Sequence, residues 1–226
     1  MWLFRSARIF TARVCRRHTA KARDVRRPSE LFQQVVQAVA GGLDLGVGAR
    51  LEVARVLVGA GGLGLEVLWA ARAAGAEVPF LRPPELACDD SSHLSVVLHA
   101  LDWLRDYEQF TPDYLLLLQP TAPFRTAADL DEAAALAHAR NADAVVSVCE
   151  ARTHPFLTKT IRPDGTMEDF VPRTLVYERR QDFPPAYVLN GALYLNRPAS
   201  LRATGTFRPP GTLAFVMPAE RSMDLD

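Results

Sequence analysis

The stretch that most narrows the fold is Tyr114 to Leu118, an unbroken apolar run that stops at Gln119-Pro120-Thr121. A strand that is apolar at every position has no face to give to water and must be covered on both. Ala144 to Val148 is a second such run. Between the two lies Ala127 to Ala139, alanine-rich and preceded by Thr126 as a helix cap. Upstream, Ser91 or Ser92 caps a helix through Arg105, with Leu94, Val97, Leu98, Leu101 and Leu104 on one face. Tyr187 to Asn196 and Leu213 to Met217 read as strands, and Glu77 to Phe80 as a short one ahead of the loop Arg82 to Leu86. Strand alternating with helix predicts an α/β fold with a doubly wound, mostly parallel sheet. Glu150 to Pro185, rich in proline and charge with a turn at Pro163-Asp164-Gly165, predicts a hairpin or arm outside the core.

Charge narrows the partners. Lys+Arg and Asp+Glu are 26 each, so the net charge is zero. No global field draws the chain to nucleic acid or to an anionic membrane, and any anion must be met by local groups. No apolar run reaches the ~20 residues that span a bilayer. Cys15, Cys88 and Cys149 are too scattered for a metal pair or a disulfide framework, which fits a reduced, cytoplasmic setting. The 226 residues suit one α/β domain over 51–226, with 1–50 as an atypical extension. Arginines crowd Arg5 to Arg27 against one acid, Asp24: the composition of a mitochondrial transit peptide, or of a poorly structured, mis-started N-terminus.

Four constellations can carry chemistry. Gln119 stands at the C-terminal end of a buried strand, where open α/β sheets place their ligand crevice, and its amide both donates and accepts. The alternative is a Gln-Pro turn that simply ends the strand. Asp224 and Asp226, at i and i+2 on an extended segment, point to one side and suit Mg²⁺, or else are solvated loop acids. Arg179-Arg180-Gln181-Asp182, followed by Asn190-Gly191, offers guanidinium forks for phosphate or carboxylate, or a basic surface shared with Lys159 and Arg173. Gly59, Gly61, Gly62 and Gly64 follow the strand Arg55 to Val58 and could cradle phosphates, or merely turn strand into helix. That loop has no lysine, and Glu77 is a loose fit to the acid of a dinucleotide site.

In order along the chain stand Gly75 to Ala87 (GAEVPFLRPPELA), Leu115 to Arg125 (LLLLQPTAPFR), Asp143 to Glu150 (DAVVSVCE), Arg179 to Asp182 (RRQD), Tyr187 to Tyr194 (YVLNGALY) and Met217 to Asp226 (MPAERSMDLD). This ordered set resembles the CMP-N-acylneuraminate cytidylyltransferases. The resemblance implies a nucleotide-diphospho-sugar transferase fold and a reaction in which CTP and a nonulosonic acid give the CMP-sugar and pyrophosphate with Mg²⁺. By motif, Asp224 and Asp226 resemble the metal-binding carboxylates, and Gln119 the glutamine that contacts the sugar acid. Asn190 and Tyr194 fall in the sugar-pocket strand, Arg180 resembles the anion-stabilising catalytic arginine, and Arg82 and Ser91 occupy a substrate-holding loop. The segment 152–185 resembles the arm through which family members form homodimers. Asn190-Gly191 points to sialic or legionaminic rather than pseudaminic acid.

Two departures stand beside these matches. The family opens with a strand and a phosphate loop of the form Ile-Pro-Ala-Arg-Gly-Gly-Ser-Lys-Gly, then Arg/Lys-Lys-Asn, and no such run stands in this chain. The chain also stops at Asp226, where the family continues into a helix. Together they suggest a truncated, frame-damaged or chimeric product, and leave open an inactive sugar-nucleotide-binding or dimerisation protein. Val56 to Arg72 also resembles the N-terminal unit of sialic-acid-type acetyltransferases, which would make the glycine loop an acyl-donor or dinucleotide site.

Overall fold

The computed structural model describes residues 80–88, 90–119, 121–172 and 179–224. All but Phe80 of the expected strand Glu77 to Phe80, and everything read from residues 1–79, the glycine loop included, lie outside the described residues.

Helix α1 spans His93–Glu108. Ser92 caps it, its side chain accepting from the Ser95 amide, and Gln109 ends it in the left-handed conformation. The helix outruns the expected end at Arg105 by one turn, because Arg105, Asp106 and Tyr107 are exposed and nothing there breaks it. Its stripe of Leu94, Val97, Leu98 and Leu101 packs on Leu115 and Leu117 of strand β1, Leu115–Leu117. The alternate residues of that run, Leu116 and Leu118, pack instead with helix α2, Ala127–Ala139. Successive strand side chains point to opposite faces, so α1 and α2 cover the two sides of the sheet. This is the burial that the continuous apolar run demanded.

Helix α2 begins in a reciprocal capping box: Thr126 Oγ1 accepts from the Asp129 amide, and Asp129 Oδ2 accepts from the Thr126 amide. Its inner face is Leu130, Ala133, Ala134 and Ala137. Small residues let it lie close on Val145 of strand β2, Ala144–Glu150, and on Leu193 and Leu195 of strand β5, Tyr187–Asn196.

The sheet order is β1-β5-β2-β6, with β6 at Leu213–Val216. β5 runs antiparallel to both β1 and β2, while β2 and β6 are parallel. The sheet is therefore mixed: β1, β2 and β6 share a direction and β5 opposes them. The reason lies in the connection. A parallel neighbour needs a crossover, usually helical, whereas an antiparallel one can return directly. Among the described residues, the path from β2 to β5 holds only short 3-10 turns and an antiparallel hairpin, β3 (Lys159–Ile161) with β4 (Met167–Asp169). The hairpin turns through Arg162 to Thr166, with Gly165 at φ +82° and Asp164 accepting from the Thr166 amide. Its base is tied to the body where the Ala151 amide meets Ala186 O at 2.9 Å and His154 Nε2 meets Pro184 O at 2.9 Å.

Helix α3, Pro198–Thr204, is not among the elements that the sequence predicts. Proline in its first turn and Gly205 at φ +65° just past its end are the bracket that marks a short helix. Among the described residues no helix is long and apolar enough to cross a membrane.

Candidate functional site

Strand β5 carries the decisive irregularity. Val146 of β2 pairs with Tyr194, but Val148 pairs with Leu189, so residues 190–193 crowd opposite Ser147 alone. Extra residues on one strand make a bulge, and bulges re-aim side chains. Gly191 sits at φ +68°, the left-handed region that costs a glycine little. The bulge is stitched from inside. Ser147 Oγ donates to Asn190 Oδ1 at 2.5 Å and accepts from the Leu193 amide at 2.9 Å. Asn190 Oδ1 also accepts from the Ala192 amide at 3.2 Å.

Above the bulge two polar side chains converge. A Cβ built on Gly191 would meet Gln119 Oε1 at 2.7 Å and Asp224 Oδ2 at 3.3 Å. Gln119 leaves β1 and Asp224 follows β6, so residues over one hundred apart in sequence share the space that glycine leaves open. Two oxygen donors on one small cradle fit a hard divalent cation, which takes carboxylate and carbonyl oxygens. Among the described residues no three His, Cys, Asp or Glu side chains cluster to make a protein-only metal cage. Mg²⁺ does not require one, since it is typically held by one or two carboxylates together with substrate phosphates and water.

Each side of the cradle is clamped. Arg125, 5% exposed, donates from Nη1 to the carbonyls of Gln119 (2.8 Å), Ala122 (2.6 Å) and Ala192 (3.2 Å). This ties the Gln119 loop to the bulge. Burial pushes the Arg125 guanidinium down to about 10, so it remains a cation at neutral pH. On the other side, Asp129 is 2% exposed and receives Arg221 Nη2 at 2.8 Å and Nε at 3.1 Å. Burial works against the Asp129 charge. The bonds from Arg221 and from the amide and hydroxyl of Thr126 outweigh it and hold the carboxyl below its usual range. Nearer the cradle, Asn190 Nδ2 donates to Ser222 Oγ at 2.9 Å, and Ser222 Oγ donates to Pro218 O at 2.8 Å.

Of the residues singled out from sequence, the structure brings together Gln119, Asp224 and the Asn190-Gly191 pair. Asn190 lies beneath the cradle, 3% exposed, with both amide atoms bonded to protein. Tyr194 is further along β5, opposite Leu117 and Val146, its ring set edge-on to Phe207 at 5.9 Å. Arg82 and Ser91 bond within their own loop, to Leu86 O at 3.0 Å and Glu85 O at 3.3 Å. Arg180 opens the 3-10 turn Arg180–Asp182. Its side chain, like Asp226 and Arg173, lies outside the described residues. Arg179 pairs with Asp182 at 3.1 Å, and Lys159 with Asp169 across the hairpin. Sequence reasoning passes over Ser147, Ser222 and Arg125. Ser147 leaves a signal: a hydroxyl inside an apolar strand must find partners when buried.

No family model matches the chain. It is 33% identical over 146 residues to the N-acylneuraminate cytidylyltransferase of Streptococcus agalactiae, a match covering 65% of this chain and 34% of that protein. The Escherichia coli protein of the same name is 32% identical over 147 residues, covering 65% and 33%. The chain thus spans about a third of the length of these relatives. The CMP-N,N'-diacetyllegionaminic acid synthase of Legionella pneumophila is 28% identical over 155 residues, covering 67% of this chain and 65% of that one. Among solved structures, a CMP:2-keto-3-deoxy-manno-octonic acid synthetase complexed with CTP aligns over 68% of each chain, with a TM-score of 0.44 and 12% identity. Over the matched segment, this chain is a homologue of proteins named as N-acylneuraminate cytidylyltransferases and as a CMP-diacetyllegionaminic acid synthase.

Proposed function

We propose that the chain is a cytidylyltransferase of the nucleotide-diphospho-sugar transferase type. It would transfer CMP from CTP to a nonulosonic acid, N-acetylneuraminate or a legionaminate-like sugar, with release of pyrophosphate. One observation carries the reading: Gln119 Oε1 and Asp224 Oδ2 converge over Gly191, just past the C-terminal end of β1. In this reaction the anomeric hydroxyl attacks the α-phosphorus, the bond to the β-phosphate oxygen breaks, and the hydroxyl proton is lost. Such transfer depends on alignment and charge neutralisation rather than on a protein nucleophile.

Asp224 would hold Mg²⁺, with Asp226 as its expected companion. When bound, the ion would neutralise the triphosphate. Gln119, half-buried, would read the sugar acid, since its amide both donates and accepts. Arg180 is assigned to the developing negative charge, Arg82 and Ser91 to the substrate loop, and Tyr194 to the sugar pocket. A homodimer formed through the arm 152–185 and a cytoplasmic setting complete the proposal. The similarity of a 146-residue segment to enzymes named for CMP transfer supports it.

The test is pyrophosphate release from CTP and N-acetylneuraminate, or legionaminate, with Mg²⁺. Asp224→Ala and Gln119→Ala should each lower kcat/KM by about 10²-fold or more, the order expected for loss of an electrostatic group at the reacting centre. Folded protein without release on either sugar would leave the inactive sugar-nucleotide-binding reading in its place.

A further inference from the structure

Both walls of the Gln119–Asp224 cradle are hung from one bulge. Arg125 links the Gln119 carbonyl to Ala192 O, and Asn190 Nδ2 links the bulge to Ser222 Oγ, two residues before Asp224. Asn190 has no polar atom left for a ligand. Its oxygen serves Ser147 and the Ala192 amide, and its nitrogen serves Ser222 and, at 3.4 Å, Met217 Sδ. Ser222 in turn accepts from Asn190 and donates to Pro218 O. Asp224 itself is exposed and has no hydrogen bond or ion pair of its own among the described residues, so its place depends on what holds the backbone just before it.

We propose that Asn190 and Ser222 are positioning residues: their hydrogen bond latches the Asp224 segment to the Gly191 bulge and sets the separation of Asp224 and Gln119. The pair touches no substrate. It acts by keeping an exposed carboxylate at the right reach from an oxygen on another strand, as partners behind metal ligands generally do. The functional half of this inference rests on the cytidylyltransferase reading above. The latch itself does not.

Ser222 is the residue to vary, because Asn190 also bonds the buried Ser147 hydroxyl and the Ala192 amide, so its loss would disturb the bulge itself. Ser222→Ala removes the acceptor of the Asn190 bond together with the donor to Pro218 O, and Ser222→Thr restores both. Two measurements are made on the full chain. The first is hydrogen exchange, without metal or nucleotide, over 187–194 and 217–224. The Ala192 amide bonds to Asn190 Oδ1 and should report the latch. The second is the Mg²⁺ concentration for half-maximal pyrophosphate release. Ser222→Ala should speed exchange in both segments and raise the Mg²⁺ midpoint about tenfold. The rate at saturating Mg²⁺ should stay nearly unchanged, and Ser222→Thr should behave as the unsubstituted chain. Unchanged exchange over 187–194 would overturn the latch. Faster exchange with an unmoved Mg²⁺ midpoint would overturn the positioning role. No release from the unsubstituted chain would overturn the enzyme reading and the positioning role together, and the exchange result would still decide the latch.

Discussion

Gly191 shows how much one missing methyl group can decide. A left-handed φ of +68° costs a non-glycine residue roughly 1–2 kcal/mol. A methyl there would also stand 2.7 Å from Gln119 Oε1, closer than that oxygen can remain, and a tight 3.3 Å from Asp224 Oδ2. Gly191→Ala should therefore do two separable things. Urea unfolding should show a loss of about 1–2 kcal/mol from the backbone alone. Pyrophosphate release should fall far more than stability does, because Gln119 must leave its place beside Asp224 to admit the methyl. A variant that lost stability but kept full turnover would show that the cradle is not where the chemistry occurs. The sequence carries Gln119, Asp224 and the Asn190-Gly191 pair through resemblance, but cannot show that they meet. Their contact depends on a bulge that no spacing rule foretells, since Ser147 and Asn190 are 43 positions apart and joined by a single hydroxyl.

Among the elements, α2 is the most legible: Thr126 as cap and Ala127–Ala139 as helix both stand in the structure. The information there is local, a cap, its capping box and an alanine face, so the sequence carries it whole. Strand Tyr187–Asn196 is likewise legible with its bounds, yet its direction is not, because direction is fixed by the arm and not by the strand's own residues. Asp129 belongs to both worlds. It closes the capping box, which a sequence can show, and anchors Arg221, 92 positions away, which it cannot. That double role gives α2 a pH dependence. The folded Asp129 carboxyl lies below its unfolded value, so the unfolded chain takes up its proton first as pH falls. The stabilisation is fully present above the unfolded carboxylate range, near about 4. It is lost as pH drops through the lower folded value. Asp129→Asn should cost about 2 kcal/mol at neutral pH, as expected for a charge-assisted bond. It should also flatten the acid limb of the stability profile, measured by urea midpoints from neutral pH down into the acid range. An equally steep acid limb in the variant would assign that limb to other carboxylates.

At the scale of the whole molecule, the β3–β4 hairpin of the arm stands outside the core. β3 and β4 are exposed along their full length, with Ile161 at 71% and Met167 at 70%. Phe170 continues the apolar edge at 67%. A lone two-stranded hairpin is marginal in water, and this one is held by its turn and by the Lys159–Asp169 and Arg162–Glu168 ion pairs, which being exposed contribute little. Burying three such side chains on a second copy would supply roughly 1.5–3 kcal/mol each, reason enough for the proposed homodimer to run through the arm. The hairpin can be excised cleanly because the Phe170 amide already meets Thr158 O at 3.1 Å, so residues 159–169 can be replaced by an Asn-Gly turn. Sedimentation should show a dimer for the full chain and a monomer for the excised one. The melting temperature should shift only by the dimer's mass-action contribution, since β1, β2, β5 and β6 keep their own core. A dimer that survives excision would place the interface on the sheet side of the molecule. A full chain that stays monomeric at tens of micromolar would leave the arm's apolar edge to a different partner.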